Sequence, residues 1–318
     1  MTRARTVVVG AGVIGLTTAI RLAEAGHRVE IVTADEPLAT TSTAATGMVG
    51  FGFAEPLDKA PGWRQATVVE LEGSMGAGLG VRLQPGLLAG PEPFHAPESF
   101  RALPGYRVAQ RHELPDGFAP GFWVDMIAVD LDRYLPDLVR RAERAGVTIE
   151  IGRVAVLDDL DADVVVNAAG IGALDLVDDP DLWADWGMHV IVENRGGLDH
   201  HFMEMPSGQD RWISWMPHGD RVLIGGASVP HRREPAADPA VRAELLTRLA
   251  VVNPELAAAP VIGLNAGVRP ARRAVRVETE IRPTGRMVVH NYGHGGLGLT
   301  LSWGTADEVV ALVGRRDP

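Results

Sequence analysis

Residues 6–15, with the sequence TVVVGAGVIG, decide the fold of this chain. The first four are an apolar, β-branched run that suits a strand buried on both faces, and a glycine-rich loop follows directly. Apolar residues then recur at helical spacing over residues 16–24, with Gly26 as the predicted terminator. A second strand is predicted at residues 28–33, so the segment forms one βαβ unit.

The loop GAGVIG, residues 10–15, fits a fingerprint for binding a dinucleotide. In that fingerprint Gly10 makes a tight turn, Gly12 lets the backbone approach a pyrophosphate, and Gly15 permits close packing of helix on strand. Asp35 follows the second strand, where a carboxylate can bind a ribose hydroxyl, and Glu36 is a rival for that role. On the glycine pattern alone, a turn that binds no ligand stays open.

A second glycine cluster lies near the C-terminus, in residues 288–306, VVHNYGHGGLGLTLSWGTA. A helical pattern follows it over residues 300–313, so backbone N–H groups and the positive end of a helix dipole converge on one point. Such a point stabilises the negative charge that gathers on the pyrimidine ring of a reduced flavin. A glycine-rich helix cap without a ligand is the alternative.

Composition excludes several classes of protein. The 318 residues contain no cysteine, so disulfides and thiolate catalysis are impossible and redox chemistry requires a bound cofactor. A net charge of -11 argues against a nucleic-acid partner, and no apolar stretch approaches the ~20 residues of a membrane span. We therefore expect a small-molecule partner, with no nucleic acid and no membrane, and a cytoplasmic location.

The βαβ elements are discontinuous along the chain. A further parallel strand is predicted at residues 163–167, far from the first, and a helix at residues 131–145 leads into a strand at 147–151. Residues 183–262 alternate short strands with a helix near residues 239–251, which indicates a second domain. No low-complexity linker separates these parts, so two interleaved domains are predicted.

Five motifs occur in a characteristic order: GAGVIGL at 10–16, PLATTSTAATG at 37–47, DVVVNAAG at 163–170, GVRPARRAVRVE at 267–278 and HNYGHGGLGLTLSWGTA at 290–306. In order and spacing they resemble the D-amino-acid oxidase family of FAD enzymes. The resemblance implies an α/β fold, in which a doubly wound, Rossmann-like FAD domain is interleaved with an antiparallel-sheet substrate domain. We assign residues 1–55, 140–182 and 263–318 to the FAD domain, and 56–139 and 183–262 to the substrate domain.

The resemblance also implies where FAD binds. It would lie along the first glycine loop, against a threonine-rich segment and an inner strand, and under the second glycine cluster. The implied cofactor residues are Gly10, Gly12, Val13, Ile14, Gly15, Asp35, Thr40, Thr41, Ser42, Gly47, Val164, Gly295, Gly296, Leu297, Gly298, Leu299 and Thr300.

Arg269 corresponds to the family's arginine that binds the substrate carboxylate, and Gly296 would also face the substrate. A guanidinium can hold a carboxylate by two parallel hydrogen bonds and so fix the α-carbon over the flavin. The nearby rivals Arg272, Arg273 and Arg276 are expected to be structural.

The chain departs from the family at the substrate wall, because the two tyrosines usual there are absent. The corresponding residues 210–218 read DRWISWMPH, in which Trp212 or Trp215 would wall the pocket and Arg211 or His218 would supply a polar contact. Aromatics without a ligand role are the alternative. Residues 186–188 read WGM and residues 48–53 lack basic side chains, so we expect a neutral, apolar D-amino acid.

The resemblance implies hydride transfer from the α-carbon to the flavin, which yields a 2-oxo acid, ammonia and, with O₂, hydrogen peroxide. Oxidation of glycine, sarcosine or a secondary or cyclic amino acid is one alternative, and a flavin-binding protein without turnover is another. Adjacent His200 and His201 lack a third ligand, so no metal is expected. A homodimer is expected.

Overall fold

The computed structural model describes residues 4–50, 54–92, 94–205 and 211–315. Residues 51–53 of the predicted non-basic loop, and residue 210 of the predicted substrate wall, lie outside these ranges. The strands are β1 (Arg5–Val9), β2 (Arg28–Thr33), β3 (Met48–Val49), β4 (Val81–Ala89), β5 (Arg107–Val108), β6 (Gly121–Val129), β7 (Thr148–Ile151), β8 (Val164–Asn167), β9 (Leu182–Glu193), β10 (His201–Glu204), β11 (Arg211–His218), β12 (Arg221–Ala227), β13 (Val229–Pro230), β14 (Val261–Arg272), β15 (Arg276–Ile281) and β16 (Met287–Tyr292).

The helices are α1 (Val13–Glu24), α2 (Ala60–Gly73), α3 (Glu98–Arg101), α4 (Leu131–Arg144), α5 (Pro239–Val252), α6 (Pro254–Ala257) and α7 (Gly298–Gly314). Short 3₁₀ helices include Pro37–Ala39, Thr41–Ala44 and Gly295–Leu297. None of the helices that the structure describes is long and apolar enough to cross a membrane.

One sheet contains the predicted βαβ unit. Within the described ranges it has six strands in the order β15-β16-β8-β1-β2-β7, all parallel to their neighbours except β15. The predicted α/β fold is confirmed. Helix α1 begins at Val13, three residues before the predicted start, because the Gly12 carbonyl already accepts the Leu16 amide at 2.9 Å.

The other sheet is mixed rather than purely antiparallel. Its described strands run β13-β9-β12-β11-β10-β4-β6-β3, with β14 on the free edge of β9 and β5 paired with β6. Every pair in it is antiparallel except β10 with β4. Because consecutive residues of a strand alternate between faces, Asp185, Gly187 and His189 of β9 share one face, and all three line the space between the sheets.

Two of the predicted domain boundaries fall inside elements of the structure. The boundary at residue 263 falls inside β14, which pairs with β9 over almost its whole length, so residues 263–272 are part of the larger sheet. The boundary at residue 140 falls inside α4, whose residues Leu135 and Leu138 are buried in the same core as α1. A division after Arg272, with all of α4 on the FAD side, replaces the predicted one as our proposal.

Helix α7, which follows the last strand of the smaller sheet, packs against helices from the first half of the chain. Helix α7 packs on α1 and α2, and a Cβ at Gly304 would stand only 2.1 Å from the Trp63 Cα, so α2 and α7 touch through backbone. The buried Trp303 indole donates to the Tyr134 hydroxyl at 2.8 Å. Helix α7 is therefore fixed along its length, and its N-terminus is held at the carboxyl end of the parallel strands.

Candidate active site

A cavity of about 1200 Å³ runs between the two sheets. Its walls are the glycine loop after β1, residues 39–48, the glycine cluster before α7, and the inner face of β9 and β14. Ligand pockets commonly occupy ~300–1,000 Å³, so this space is large enough for an extended ligand and a second small molecule. Both predicted glycine motifs and Arg269 line this one cavity.

The glycine loop after β1 is shaped by contacts that a side chain would block. Gly10 has φ +105°, and a Cβ there would stand 2.6 Å from the carbonyl oxygen of Ala168 on the neighbouring strand. A Cβ on Gly15 would stand 1.9 Å from the Gly10 carbonyl oxygen, so α1 lies directly on the loop. The loop is therefore held close to β8 with its backbone open to the cavity.

Two helix N-termini converge on the cavity. Helix α1 begins at Val13 and α7 at Gly298, and neither has a side-chain cap or an acidic residue in its first turn. The Val13 amide donates to Ser42 Oγ at 2.9 Å, which places the threonine-rich segment beside the first helix. A Cβ on Gly298 would lie 3.8 Å from the Val13 Cγ1, so the two N-termini are adjacent. Unneutralised helix N-termini favour anionic groups, so this part of the cavity suits phosphate or a developing negative charge.

The structure separates the two acids that compete for the ribose role. Asp35 lines the cavity just beyond β2, whereas Glu36 does not. The Thr33 hydroxyl donates to the Asp35 carbonyl oxygen at 2.9 Å and fixes the turn that presents it. Asp35 is therefore the candidate that the geometry favours.

Most of the other predicted cofactor residues also line the cavity. They are Gly10, Gly12, Val13, Ile14, Thr40, Thr41, Ser42, Gly47, Gly295, Gly296, Leu297, Gly298 and Leu299. Gly15 supports the loop from behind. Thr300, in the first turn of α7, is 4% exposed and is not among the residues that line the cavity, so its contact with the cofactor stays a prediction.

Val164 also lies away from the cavity, and its contact with the cofactor stays a prediction. It is fully buried at the amino end of β8, where it pairs with Thr6, whereas the cavity lies at the carboxyl end of that strand. The residues that reach the cavity are those that leave β8 and β7, namely Ala168–Gly170 and Gly152–Val154. The sequence signal that identifies them is general, since ligands of parallel sheets bind beyond the carboxyl ends of the strands.

Arg269 lies on β14 and lines the cavity. Its guanidinium covers Gly187 on β9, where a Cβ would stand 2.3 Å from Nη2. Nη1 donates to Asp185 Oδ2 at 3.0 Å, and both terminal nitrogens lie 3.3 Å from the Ala227 carbonyl oxygen. The side chain keeps 22% exposure, so a ligand can reach it. Asp185 was not anticipated from the sequence.

The rival arginines lie outside the cavity. Arg272 Nε donates to Asp179 at 3.0 Å, and Arg276 Nη1 donates to the Tyr292 hydroxyl at 2.6 Å. That hydroxyl donates to the same Asp179 carboxylate at 2.7 Å. Burial opposes ionisation of Asp179, but the Tyr292 and Arg272 hydrogen bonds outweigh it and lower its pKa. Arg273 is exposed and also lies away from the cavity.

Of the two predicted wall tryptophans, the structure brings one into the site. Trp212 lines the cavity, whereas Trp215 is 4% exposed and stacks on Phe202 with ring centroids 4.3 Å apart. The predicted polar contacts are also elsewhere. Arg211 is bonded to Glu244 and to the Ser228 carbonyl oxygen, and His218 Nε2 lies 2.9 Å from the Thr46 carbonyl oxygen.

Two buried histidines in the cavity wall are neutral. Burial lowers the pKa of His294 to about 3, and burial together with the charge of Arg269 lowers the pKa of His189 to about 4. His294 Nε2 and His189 Nδ1 have no hydrogen-bond partner among the described residues. At pH 7 these rings can therefore accept or donate a hydrogen bond to a ligand, but they carry no charge.

The predicted absence of a metal concerned His200 and His201. His201 is fully buried over Gly86, and His200 packs edge-on against Trp123 and Trp215. Within the described ranges, no cluster of three or more histidine, aspartate or glutamate side chains is placed to hold a metal ion.

These observations test whether FAD fits. A dinucleotide needs a glycine loop open to its pyrophosphate, and a Cβ at Gly12 would fill that space, 3.1 Å from Ser42 Oγ. A flavin needs positive potential at its pyrimidine edge, which the α7 N-terminus provides beside His294, whose Nε2 is unpartnered. The residues present therefore fit the cofactor.

Comparison with known proteins gives the same answer. A family model described as FAD dependent oxidoreductase matches residues 5–312. A D-amino-acid oxidase of Streptomyces coelicolor is 39% identical over 310 residues, which are 96% of this chain and 95% of the relative. A D-amino-acid oxidase of Rubrobacter xylanophilus is 36% identical, over 98% of this chain and 96% of the relative.

Solved structures share the fold. The glycine oxidase of Geobacillus kaustophilus superposes with a TM-score of 0.82 at 22% sequence identity, over 100% of this chain and 96% of that chain. At that identity the likeness concerns the fold alone.

Proposed function

Because the chain belongs to the FAD-dependent oxidoreductase family that includes the D-amino-acid oxidases, we propose that it oxidises a neutral D-amino acid. The products are a 2-oxo acid, ammonia and hydrogen peroxide, with O₂ as the electron acceptor. The family, predicted from the five motifs, is confirmed, and the chain is an enzyme that uses FAD.

One observation carries the proposal. The N-terminus of α7 and the Arg269 guanidinium line the same cavity, and a Cβ on Gly296 would lie 3.8 Å from the Arg269 Cδ. The flavin edge and the carboxylate-binding group are thus adjacent. A substrate held at one is positioned against the other, which is the main contribution an enzyme makes to a hydride transfer.

Bound FAD supplies a two-electron acceptor for the hydrogen of the substrate α-carbon. The loop of Gly10 and Gly12, with Ser42, would hold its diphosphate, and Asp35 its ribose. The residues Gly295–Leu297 and the first turn of α7 would face its pyrimidine edge. Their backbone amides are fixed before any ligand binds, because α7 is packed on α1 and α2.

The chain's own residues act by binding and orientation. Arg269 would hold the substrate carboxylate by paired N–H donors, and Trp212 would close one side of the pocket. His189 and His294 are neutral and add no further charge to the cavity wall around the substrate. No general base is required, since the hydrogen leaves the α-carbon with its electrons.

The charges of the substrate half support a neutral side chain. Arg269 is paired with Asp185, and Arg233, which also lines the cavity, is paired with Asp175 at 2.8 Å. Both arginines are therefore balanced by a carboxylate. An acidic or basic substrate side chain would meet no uncompensated opposite charge there, whereas Met203 and Trp212 offer apolar contact.

Oxidation of glycine, sarcosine or a cyclic amino acid was the alternative left by the sequence. It is the weaker proposal, because relatives named D-amino-acid oxidase reach 36–39% identity, whereas the glycine oxidase structure shares 22%. A protein without turnover is disfavoured by the family. The homodimer and the cytoplasmic location stay predictions.

An aerobic substrate panel tests the function. FAD-loaded enzyme is mixed with neutral, acidic and basic D-amino acids, with glycine and with sarcosine, and peroxide is measured. We expect the largest kcat/KM for a neutral D-amino acid. Preference for glycine or sarcosine would replace the proposed function with the alternative, and absence of peroxide with every compound would refute it.

A further inference from the structure

An unexpected carboxylate lies beside the proposed carboxylate-binding group. Asp185 on β9 faces Arg269 across the register of β14, and its side chain is 17% exposed. Its Oδ2 accepts from Arg269 Nη1 at 3.0 Å, and its Oδ1 accepts from the Ser228 hydroxyl at 2.5 Å. Asp185, Ser228 and Arg269 all line the cavity. An acid is an unusual neighbour for a group that must bind another carboxylate.

The hydrogen bonds decide which edge of the guanidinium is available. Arginine has N–H donors on Nη1, Nη2 and Nε, and a carboxylate binds two of them at once along one edge. In Arg269 the end-on pair is occupied, because Nη1 and Nη2 both donate to the Ala227 carbonyl oxygen at 3.3 Å and Nη1 also donates to Asp185. Among the described residues, the edge formed by Nε and the second hydrogen of Nη2 remains for a ligand.

That remaining edge faces the glycine cluster. A Cβ on Gly296 would lie 4.0 Å from Arg269 Nε, and Gly296 has no side chain to cover it. A carboxylate bound on the Nε–Nη2 edge would therefore lie next to the residues that we assign to the flavin edge. If Nη1 were released, the guanidinium could turn and present a different pair of donors.

We propose, on the basis of the function above, that Asp185 is a positioning residue for Arg269. It holds Nη1, so that only the Nε–Nη2 edge binds the substrate carboxylate, and its negative charge weakens the affinity of that edge. The Ser228 hydroxyl fixes Asp185 in turn. The site thereby gains a single binding orientation and a faster release of the carboxylate product, at the expense of affinity.

The geometric and electrostatic roles separate in two variants. Asp185→Asn keeps an oxygen that can accept from Nη1 but removes the charge. Asp185→Ala removes both. Ser228→Ala leaves the charge and frees the carboxylate to move, so its effect should resemble a mild form of Asp185→Ala. Asp199→Asn is a matched charge control, because Asp199 is 87% exposed and does not line the cavity.

The measurement combines binding and turnover in FAD-loaded enzyme. Propionate, a carboxylate without an amine, is titrated by the change in the flavin absorbance and by calorimetry. We expect Asp185→Asn to bind propionate about threefold to tenfold more tightly, because a like charge within a few ångströms has been removed. Its kcat should change by less than about threefold, a smaller effect than that on affinity. The Asp199→Asn control should match the wild type.

For Asp185→Ala we expect kcat for the preferred D-amino acid to fall by about tenfold or more, while propionate binds at least as well as in wild type. Unchanged or weaker propionate binding in Asp185→Asn would overturn the proposal, as would an unchanged kcat in Asp185→Ala. Loss of amino-acid binding in Asp185→Asn with unchanged propionate binding would instead assign Asp185 to the substrate amine, and would also overturn it.

Two controls separate the possible failures. FAD content and Tm show whether each variant is folded, and Ser228→Ala keeps the geometric claim testable if Asp185→Ala is not. The absence of turnover by the wild type with every D-amino acid would refute the proposed function. Propionate binding would still report on the pair of Asp185 and Arg269 in that case.

Discussion

Arg269 and Arg272 lie three residues apart on one strand, and each is paired with an aspartate at 3.0 Å. Their separation is an odd number, so they leave β14 on opposite faces. Arg269 and Asp185 line the cavity with 22% and 17% exposure, whereas Asp179, the partner of Arg272, is only 3% exposed. The same combination of arginine and aspartate thus lines the cavity on one face, where we propose that it binds substrate, and forms a buried ion pair on the other.

The structural pair also supports the site indirectly. Arg272 lies against the turn before the glycine cluster, where a Cβ on Gly293 would stand 2.9 Å from its Cβ and Cδ. Tyr292, which donates to Asp179, immediately precedes that turn. The face of the strand, and not the residue type, therefore decides whether an arginine lines the cavity or lies in a buried ion pair outside it.

The largest expected effect is on the cavity pair. Replacement of Arg269 by alanine should lower kcat/KM by about 2–4 kcal/mol in transition-state free energy, because the substrate carboxylate loses its charged partner. FAD binding should be retained. Steady-state kinetics and flavin absorbance measure the two quantities. Arg273→Ala, an exposed arginine outside the cavity, is the control and should resemble wild type; near-normal turnover by Arg269→Ala would remove the distinction between the two pairs.

The opposite result is expected for the buried pair. Asp179→Ala leaves Arg272 and Arg276 without their shared carboxylate, and we expect a loss of about 2–3 kcal/mol in the free energy of unfolding. Urea denaturation of the FAD-loaded protein measures it. At a temperature where the variant is folded, KM should change far less than in Arg269→Ala. A stable variant with a strongly raised KM would show that this pair also binds substrate.

Lowering the pH should decrease the free energy of unfolding through three buried histidines. Burial lowers the pKa values of His189, His201 and His294 to about 4, about 3 and about 3. Below pH ~6.5 these histidines are protonated in the unfolded chain but remain neutral in the folded chain. Each histidine should therefore lower the free energy of unfolding by roughly 1 kcal/mol per pH unit, down to its folded pKa. These histidines therefore do not destabilise the fold above pH ~6.5, and they destabilise it increasingly as the pH falls below that value.

The Asp179 contribution should disappear at lower pH. Because its pKa is lowered in the fold, this contribution is present above pH ~4 and is lost as the pH falls through the folded value. The difference in unfolding free energy between wild type and Asp179→Ala should therefore stay constant from pH 7 to about 4.5, and then shrink. A difference that already shrinks near pH 6 would contradict the assignment of its carboxylate.

The smallest expected effect distinguishes two neighbouring acids. Asp35 lines the cavity and Glu36 does not, so Asp35→Ala should weaken FAD binding about threefold to tenfold through one lost exposed hydrogen bond. Glu36→Ala should leave the affinity unchanged. Titration of the apoprotein with FAD, followed by fluorescence, gives both values. Equal losses in the two variants would indicate a general effect of charge.

The cofactor half could be predicted from sequence because local patterns encode it. The β-branched run of residues 6–9 favours a strand, and the loop at 10–15 and the cluster before α7 contain glycines at positive φ or at close backbone contacts, such as Gly10, Gly15 and Gly295. The two glycine loops are also expected to lie close together, since a parallel sheet brings the carboxyl ends of its strands to one edge. The rule that ligands bind beyond the carboxyl ends of parallel strands favours the residues that follow β7 and β8 over Val164, which lies at the amino end of β8.

The substrate half could not be predicted in this way. Whether Trp212 or Trp215 faces the cavity depends on a register shift between Arg211 and Ser214, which no local pattern shows. The pairing of Asp185 with Arg269 depends on the register between β9 and β14, whose residues are far apart in sequence. Both depend on the register between strands, which tertiary packing determines.

The proposed oxidation of a D-amino acid held by Arg269 is tested most directly by the reduction of the bound flavin by one enantiomer. FAD-loaded enzyme is mixed without oxygen with D-methionine and, separately, with L-methionine, and the visible flavin absorbance is followed. We expect bleaching by the D-enantiomer in the wild type and its loss in Arg269→Ala, with no bleaching by the L-enantiomer. Bleaching by L-methionine alone, or equal bleaching in the Arg269 variant, would contradict it.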